Sequence, residues 1–279
     1  MGKRGGAMPM SLLAEERKGY IIEQLDAVGK VRVVSLAERL HVSNETIRRD
    51  LAVLEEEGRL RRVYGGAVKV QYEEGEPPYQ QRQVLHHEAK QAIGRRAAEL
   101  IQDGNTVYMD TGTTIHELAR AVKGKKRVTV ITNSLAVASL LRESLTQGLF
   151  SGRVIILGGE ISPEQQSVSG HLCQEMLRNF YVDKAFISVG GMSVMTGISD
   201  YDMNDSVISR MVTANAKEVI VLADYSKIGI QAFCHIAPLE QIDVIVCDQE
   251  HPASWTQELE IKAITWIVAD GGMETGNRT

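Results

Sequence analysis

Near the start of the chain, apolar residues recur at helical spacing. Leu13, Ile21, Ile22 and Leu25 interleave with Glu15, Glu16, Arg17 and Lys18, which predicts an amphipathic helix ending near Gly29. Ser35 is placed to cap a second short helix, LAERLHV, with Leu36, Ala37 and Leu40 on one face. A third helix follows a tight turn at His41–Ser43. Ser43 is its expected N-cap, Ile47, Leu51 and Leu54 form the inward stripe at i, i+4 and i+7, and Gly58 is its expected stop. Beyond it, RLRRVYGGAVKV alternates basic and apolar residues. Leu60, Val63, Ala67 and Val68 suit a two-stranded hairpin turning at Gly65-Gly66. Two helices joined by a tight turn and followed by a hairpin make a winged helix-turn-helix, here residues 10–70.

The pattern then changes twice. Residues 71–87 are polar, with a Pro77-Pro78 pair and almost no apolar periodicity, and read as an extended linker. From 88 to 270, helical segments alternate with the apolar runs TVYMD, RVTVIT, RVIILGG, KAFISVGG, EVIVLAD, DVIVCD and ITWIVAD. QAFCHIAPL is expected as an additional, less regular strand. Repeated alternation of this kind predicts an α/β domain, Rossmann-like in outline, whose mostly parallel sheet is covered on both faces.

Charge adds a partner to this picture. The chain is acidic, with a formal net charge of -5, yet residues 1–69 carry 13 Lys and Arg against 10 Asp and Glu. Five arginines, Arg48, Arg49, Arg59, Arg61 and Arg62, crowd around the third helix and the hairpin. A basic segment on an acidic body points to an anionic partner that touches one part only. In a helix-turn-helix the second helix enters the DNA major groove. With the stripe turned inward, Ser43, Asn44, Glu45, Thr46, Arg48 and Arg49 are left toward the open side, and Asn and Arg suit adenine and guanine edges. Arg61, Arg62 and Tyr64 would flank the sugar-phosphate backbone. The plain alternative is a surface helix with Arg48 and Arg49 paired to Glu55 or Glu56.

No run approaches the length of a membrane helix, and no signal-type apolar core follows the basic start MGKRGGAMPM. Cys173, Cys234 and Cys247 are far apart without a CxxC spacing, which points to buried thiols in a reducing compartment, the cytoplasm. The adjacent histidines His86 and His87 would point apart on a helix, so no metal site is expected. GxGxxG and GxxxxGK[ST] are both absent, and no cofactor is expected.

In doubly wound sheets, ligands bind beyond the carboxyl ends of the strands. There the chain places Asp110, Gly112, Thr113 and Thr114; Thr132, Asn133 and Ser134; Gly190 and Gly191; and Lys227 near Asp224. Hydroxyls, glycines and helix N-termini suit a phosphate, with Lys227 adding positive charge. Asp110 and Asp200 would accept hydrogen bonds from sugar hydroxyls. Each has a plainer reading as a turn or a cap.

VSNETIRRDLAVLEEEGRLRRVYGGA resembles the N-terminal signature of the DeoR family of bacterial transcriptional regulators. DTGTT, ITNS, SVGG, GISD and LADYSKIG are similar to successive sites of that family's C-terminal sensor domain. The spacing of Arg82, Glu88 and Lys90 resembles its linker region. The resemblance covers roughly residues 10–270. It implies a sensor similar in fold to sugar-phosphate isomerases such as ribose-5-phosphate isomerase. It also implies a homo-oligomeric repressor that binds double-stranded operator DNA of a sugar or polyol catabolic operon. The effector would be a phosphorylated sugar or sugar alcohol, its phosphate held by Thr113, Thr114, Thr132, Asn133 and Ser134 with Lys227 nearby.

One segment departs from the family pattern. Asp205 stands where a Glu is expected, and Ser209-Arg210 replaces a Lys-Arg pair, leaving Arg210 as a candidate anion contact. The competing function is an active sugar-phosphate isomerase or deaminase with an accessory DNA-binding domain, using Asp110, Asp200 or Asp205. No single loop gathers acid, base and cation, so binding without turnover is expected.

Overall fold

The computed structural model describes residues 13–28, 30–56, 59–63, 65–68 and 76–270. The chain falls into two compact units, Met1–Glu74 and Gly75–Thr279.

The first unit contains α1 (Ala14–Val28), β1 (Lys30–Arg32), α2 (Val33–Leu40), α3 (Asn44–Glu56), β2 (Arg61–Val63) and β3 (Gly66–Val68). Ile47, Leu51 and Leu54 are at most 1% exposed and pack with Ile21, Leu25, Leu36, Leu40 and Leu60. Burying side chains of this size contributes about 1.5–3 kcal/mol each. Arg17 of α1 grips Asp50 of α3 through Nε to Oδ2 at 2.6 Å and Nη2 to Oδ1 at 2.9 Å, with both side chains nearly buried. The hydrophobic pattern does not reveal this clamp.

Two local expectations need correction. α2 starts at Val33, not after Ser35, and its N-cap Arg32 makes no side-chain bond. The cap is not needed there because β1 runs straight into the helix, and the Val33 amide donates to the Gly65 carbonyl at 2.9 Å. The wing has three strands instead of two, in the order β1-β3-β2, all antiparallel. The paired glycines serve it differently. Gly65 adopts φ +79°, and a Cβ on Gly66 would lie 2.0 Å from the Val31 carbonyl oxygen. Val63 lies on β2 as expected and is exposed, while Leu60 and Ala67 are buried. Gly58 lies outside the described residues.

The second unit runs α4 (Tyr79–Val84), α5 (His87–Glu99), β4 (Thr106–Met109), α6 (Thr113–Ala121), β5 (Val128–Thr132), α7 (Leu135–Thr146) and β6 (Gly152–Ile156). It continues through β7 (Glu160–Ser162), β8 (Ser167–Ser169), α8 (His171–Leu177), β9 (Val182–Ser188), β10 (Gly191–Ser193), β11 (Gly197–Asp200) and α9 (Met203–Asn215). It closes with β12 (Ala216–Leu222), β13 (Cys234–Ala237), β14 (Val244–Cys247), α10 (Thr256–Ile261) and β15 (Thr265–Val268). The seven apolar runs are the seven strands of one parallel sheet, ordered β15-β14-β12-β9-β4-β5-β6.

Alternate residues of each strand feed opposite faces. Tyr108, Ile131, Ile187, Val221 and Ile245 share one core with α8, α9 and α10. Val107, Met109, Val130, Phe186, Ile220 and Val246 share the other with α5, α6 and α7. QAFCHIAPL supplies β13, which pairs in the small antiparallel sheet β10-β11-β13. Cys173 and Cys247 are free and buried, while Cys234 is half-buried. The stretch expected as an extended linker holds α4, whose Tyr79 is buried; residues 71–75 lie outside the described residues.

Candidate functional site

Two surfaces carry chemistry, one in each unit. In the first, His41 turns the chain at φ 53°, and the Thr46 amide donates to Ser43 Oγ at 3.1 Å, so Ser43 caps α3. Ser43 and Thr46 also share a hydroxyl–hydroxyl bond of 2.8 Å. Asn44, Glu45, Arg48 and Arg49 are exposed on the helix's open face, and the Arg48 and Arg49 side chains are 64% and 81% exposed. Among the described residues their ion-pair partner is Glu45, at 3.6 and 3.9 Å; the side chain of Glu56 lies outside the described residues. Glu55 instead binds the wing. It accepts from the Arg62 amide at 2.8 Å and from Arg62 Nε at 2.6 Å. These bonds, the backbone one foremost, hold the Glu55 carboxyl below its ordinary range. Such exposed pairs are weak and can be exchanged for phosphate contacts. Arg61 lies on β2, but its side chain, like Tyr64, lies outside the described residues.

In the second unit the sheet reverses its winding between β4 and β9, so a crevice is expected beyond their carboxyl ends. Asp110 and Thr111 follow β4 there, and Ser188 Oγ, from the end of β9, donates to the Thr111 carbonyl at 2.7 Å. α6 starts from Gly112, at φ +103°, with no side-chain cap, and Thr113 and Thr114 in its first turn are buried. An uncapped first turn leaves amide donors and positive dipole for an anion.

Three carboxylates stand near this turn. Asp110 is 2% exposed; its Oδ2 accepts from Ser209 Oγ at 2.8 Å and its Oδ1 is buried without a partner. Burial, aided by the charges of Asp205 and Asp200, pushes its carboxyl up to about 8. Asp205, in the first turn of α9, accepts from Ser167 Oγ at 3.0 and 3.1 Å; burial and then Asp202 raise it to about 7. Asp200 ends β11, and burial followed by the charge of Glu76 raises it to about 7. Ser209, at the departure from the family pattern, is therefore the hydroxyl that satisfies one oxygen of Asp110.

Cations close the group. Lys227 Nζ lies 3.4 Å from Glu76 Oε1, and Arg82 Nη1 lies 2.8 Å from Glu76 Oε2. Arg82 also bonds Gln165 Oε1, and Lys90 Nζ donates to the Arg82 carbonyl at 2.5 Å. Burial lowers the Lys90 ammonium to about 8. For the buried Asp224 burial works upward, but the charges of His86, Lys227 and Lys90 outweigh it and hold the carboxyl down. The structure thus assembles acids and cations from several segments, where no single loop holds them. Glu76, Arg82 and Lys90 were not among the sequence-derived site residues. Their one signal was the Arg82–Lys90 spacing in a segment read as linker.

Other expected site residues are placed differently. Thr132, Asn133 and Ser134 are 0% exposed and use their polar atoms within the fold. Thr132 Oγ1 accepts from the Ser134 amide, Ser134 Oγ caps α7 through the Val137 amide, and Asn133 bridges Tyr108 Oη and the Val168 carbonyl. Arg210 is exposed, and its guanidinium bonds the His235 carbonyl on β13. Gly190, which follows β9, and Gly191, the first residue of β10, are buried. Among the described residues there is no cluster of His, Cys, Asp and Glu able to hold a metal, and no helix long and apolar enough to cross a membrane.

Comparison with known proteins matches residues 17–72 to the DeoR-like helix-turn-helix domain and residues 85–249 to the DeoR C-terminal sensor domain. The chain belongs to the DeoR family. It is 33% identical over 256 residues to the HTH-type transcriptional repressor GlcR of Bacillus subtilis (strain 168), covering 92% of this chain and 96% of that protein. It is 31% identical over 235 residues to the HTH-type transcriptional regulator GolR of Listeria innocua, covering 84% and 91%. Like these DeoR-family relatives, it is a DNA-binding transcriptional regulator and not an enzyme. Among solved structures, a D-ribose-5-phosphate isomerase in complex with phospho-erythronic acid overlaps 51% of this chain and 54% of its own, at TM-score 0.37 and 14% identity. The full-length sorbitol operon regulator SorC from Klebsiella pneumoniae overlaps 77% and 90%, at TM-score 0.34 and 12% identity. Overlaps of that quality say nothing about ligand.

Proposed function

We propose that this DeoR-family regulator is a repressor of a sugar or polyol catabolic operon, released or engaged by a phosphorylated sugar or sugar alcohol bound at the carboxyl ends of β4 and β9. The observation that carries the reading is the first turn of α6. It starts on a glycine, has no side-chain cap, and stands beside the buried carboxylates Asp110 and Asp205 and the half-buried Asp200. The turn suits the phosphate, through amides and the hydroxyls of Thr113 and Thr114. The carboxylates suit the hydroxyls of the carbon chain, and the unpartnered Oδ1 of Asp110 has a hydrogen bond left to make. Lys227 and Arg82 balance the added charge. GlcR, the similar protein from Bacillus subtilis, is named a repressor, which supports the sign.

On the DNA side, Arg48 and Arg49 read bases while Arg62 contacts phosphates, and a homo-oligomer presents paired winged helices to operator half-sites. Thermal denaturation of the full chain against matched phosphorylated and unphosphorylated sugars and polyols tests the sensor. A ligand at 100 times its Kd adds about 2.7 kcal/mol, so a phosphorylated compound should raise Tm where its parent does not. Silence across the panel would favour a regulator switched by a partner protein. For the reading helix, equal operator affinity of wild type and an Arg48→Ala/Arg49→Ala double variant would end the assignment.

A further inference from the structure

Glu76 is the second residue of the second unit, and a short stretch, residues 69–75, separates it from the wing strand β3. Its side chain is only 6% exposed. A carboxylate this deep is tolerated only where cations meet it, and Glu76 meets two. Arg82 Nη1 lies 2.8 Å from Oε2, and Lys227 Nζ lies 3.4 Å from Oε1. The two cations come from different elements, α4 and the turn after β12. Its other charged neighbours include Asp200 and Asp205, which repel it. Glu76 is thus an anion seated on Arg82 and Lys227, the two cations that balance the added charge of a phosphate in the effector reading. Arg82 is not saturated by it, since its Nε is buried with no partner.

We propose, resting on that reading of the strand-end site, that Glu76 is an internal occupant of the effector's anion seat, and that ligand binding and the Glu76 contact with Arg82 and Lys227 exclude each other. On the C-terminal side, Pro77-Pro78 lead directly into α4, where Tyr79 is buried and Arg82 carries the contact with Glu76. Loss of that contact is therefore felt first in α4.

The test titrates inorganic phosphate into the full-length wild type and an E76Q variant by calorimetry, with circular dichroism confirming that the variant folds. Removing the competing carboxylate takes the shared ion-pair partner from Arg82 and Lys227, leaving Lys227 with the charges of Asp224 and Asp200, so E76Q should bind phosphate at least about tenfold more tightly. Adding K227M to E76Q should abolish that gain. Equal or weaker binding by E76Q, with wild type binding normally, would make Glu76 a structural clasp and overturn the proposal while sparing the effector site. Absence of phosphate binding in both chains would overturn the anion seat and the proposal together. Hydrogen exchange in wild type decides the matter even if E76Q misfolds. Saturating phosphate should speed exchange over residues 79–84, whose packing Glu76 anchors through Arg82. Slower or unchanged exchange there refutes the competition.

Discussion

Asp110→Asn tests the electrostatics of the sensor site without changing its shape. Asp110 is buried, with one oxygen bonded to Ser209 and the other unpartnered, and its carboxyl titrates at about 8 instead of the ordinary 3.8. At pH 7 the folded state therefore keeps a proton that the unfolded chain has released. One pKa unit is worth about 1.36 kcal/mol, so holding that proton destabilises the fold by about 4 kcal/mol at pH 7. Proton counting gives the sign. Below the unfolded value both states are protonated and the penalty is absent; it grows as pH rises from about 4 and levels off above about 8. Asparagine removes the penalty and keeps an acceptor for Ser209. Its amide nitrogen, placed where Oδ1 was, carries two hydrogens without acceptors where the acid carries one, and the extra donor costs about 1–3 kcal/mol. The net expectation is a gain of about 1–3 kcal/mol at pH 7 that reverses to a loss of similar size near pH 4. Urea unfolding followed by tryptophan fluorescence reads this directly, because both tryptophans, Trp255 and Trp266, lie in the second unit. A variant destabilised by the same amount at pH 4.5 and pH 7 would mean that Asp110 is ionised in the fold, and the burial argument would be wrong.

Leu51→Ala removes a core side chain that is 1% exposed, and should cost the first unit about 2–5 kcal/mol and lose operator binding while the tryptophan-reported transition stays in place. Glu55→Gln releases Arg62 from its pair; binding to all duplex sequences should strengthen, and the salt dependence measured by anisotropy should steepen by up to about one phosphate contact. Gly112→Ala forces a side chain onto φ +103° with its Cβ 2.7 Å from Ser188 Oγ. It should lower stability by about 1–3 kcal/mol and erase the Tm response to phosphorylated ligands, a response that Arg210→Ala, on the surface, should leave intact.

Much of this architecture is local, and local patterns expose it. Ile47, Leu51 and Leu54 turn inward because 3.6-residue periodicity leaves them no other common face, and α3 packs them at 0–1% exposure. The seven apolar runs became seven parallel strands because residues buried on both faces have no polar alternation to show. The cap at Ser43 and the glycine pair of the wing are equally local. The strand-end site is different. Thr132, Asn133 and Ser134 looked ready for a phosphate, but strand β8 lies against them, taking Asn133's amide at the Val168 carbonyl, and α7 takes Ser134 as its cap. Glu76 and Arg82 lay in the stretch expected as linker, yet Glu76, just ahead of α4, and Arg82, on α4, meet Lys227, Asp200 and Asp205. A sequence by itself determines which faces must be buried, because burial repeats with the backbone's own period. Which charges meet was decided only by the tertiary structure, because their partners lie across the sheet order, at separations to which no periodicity extends.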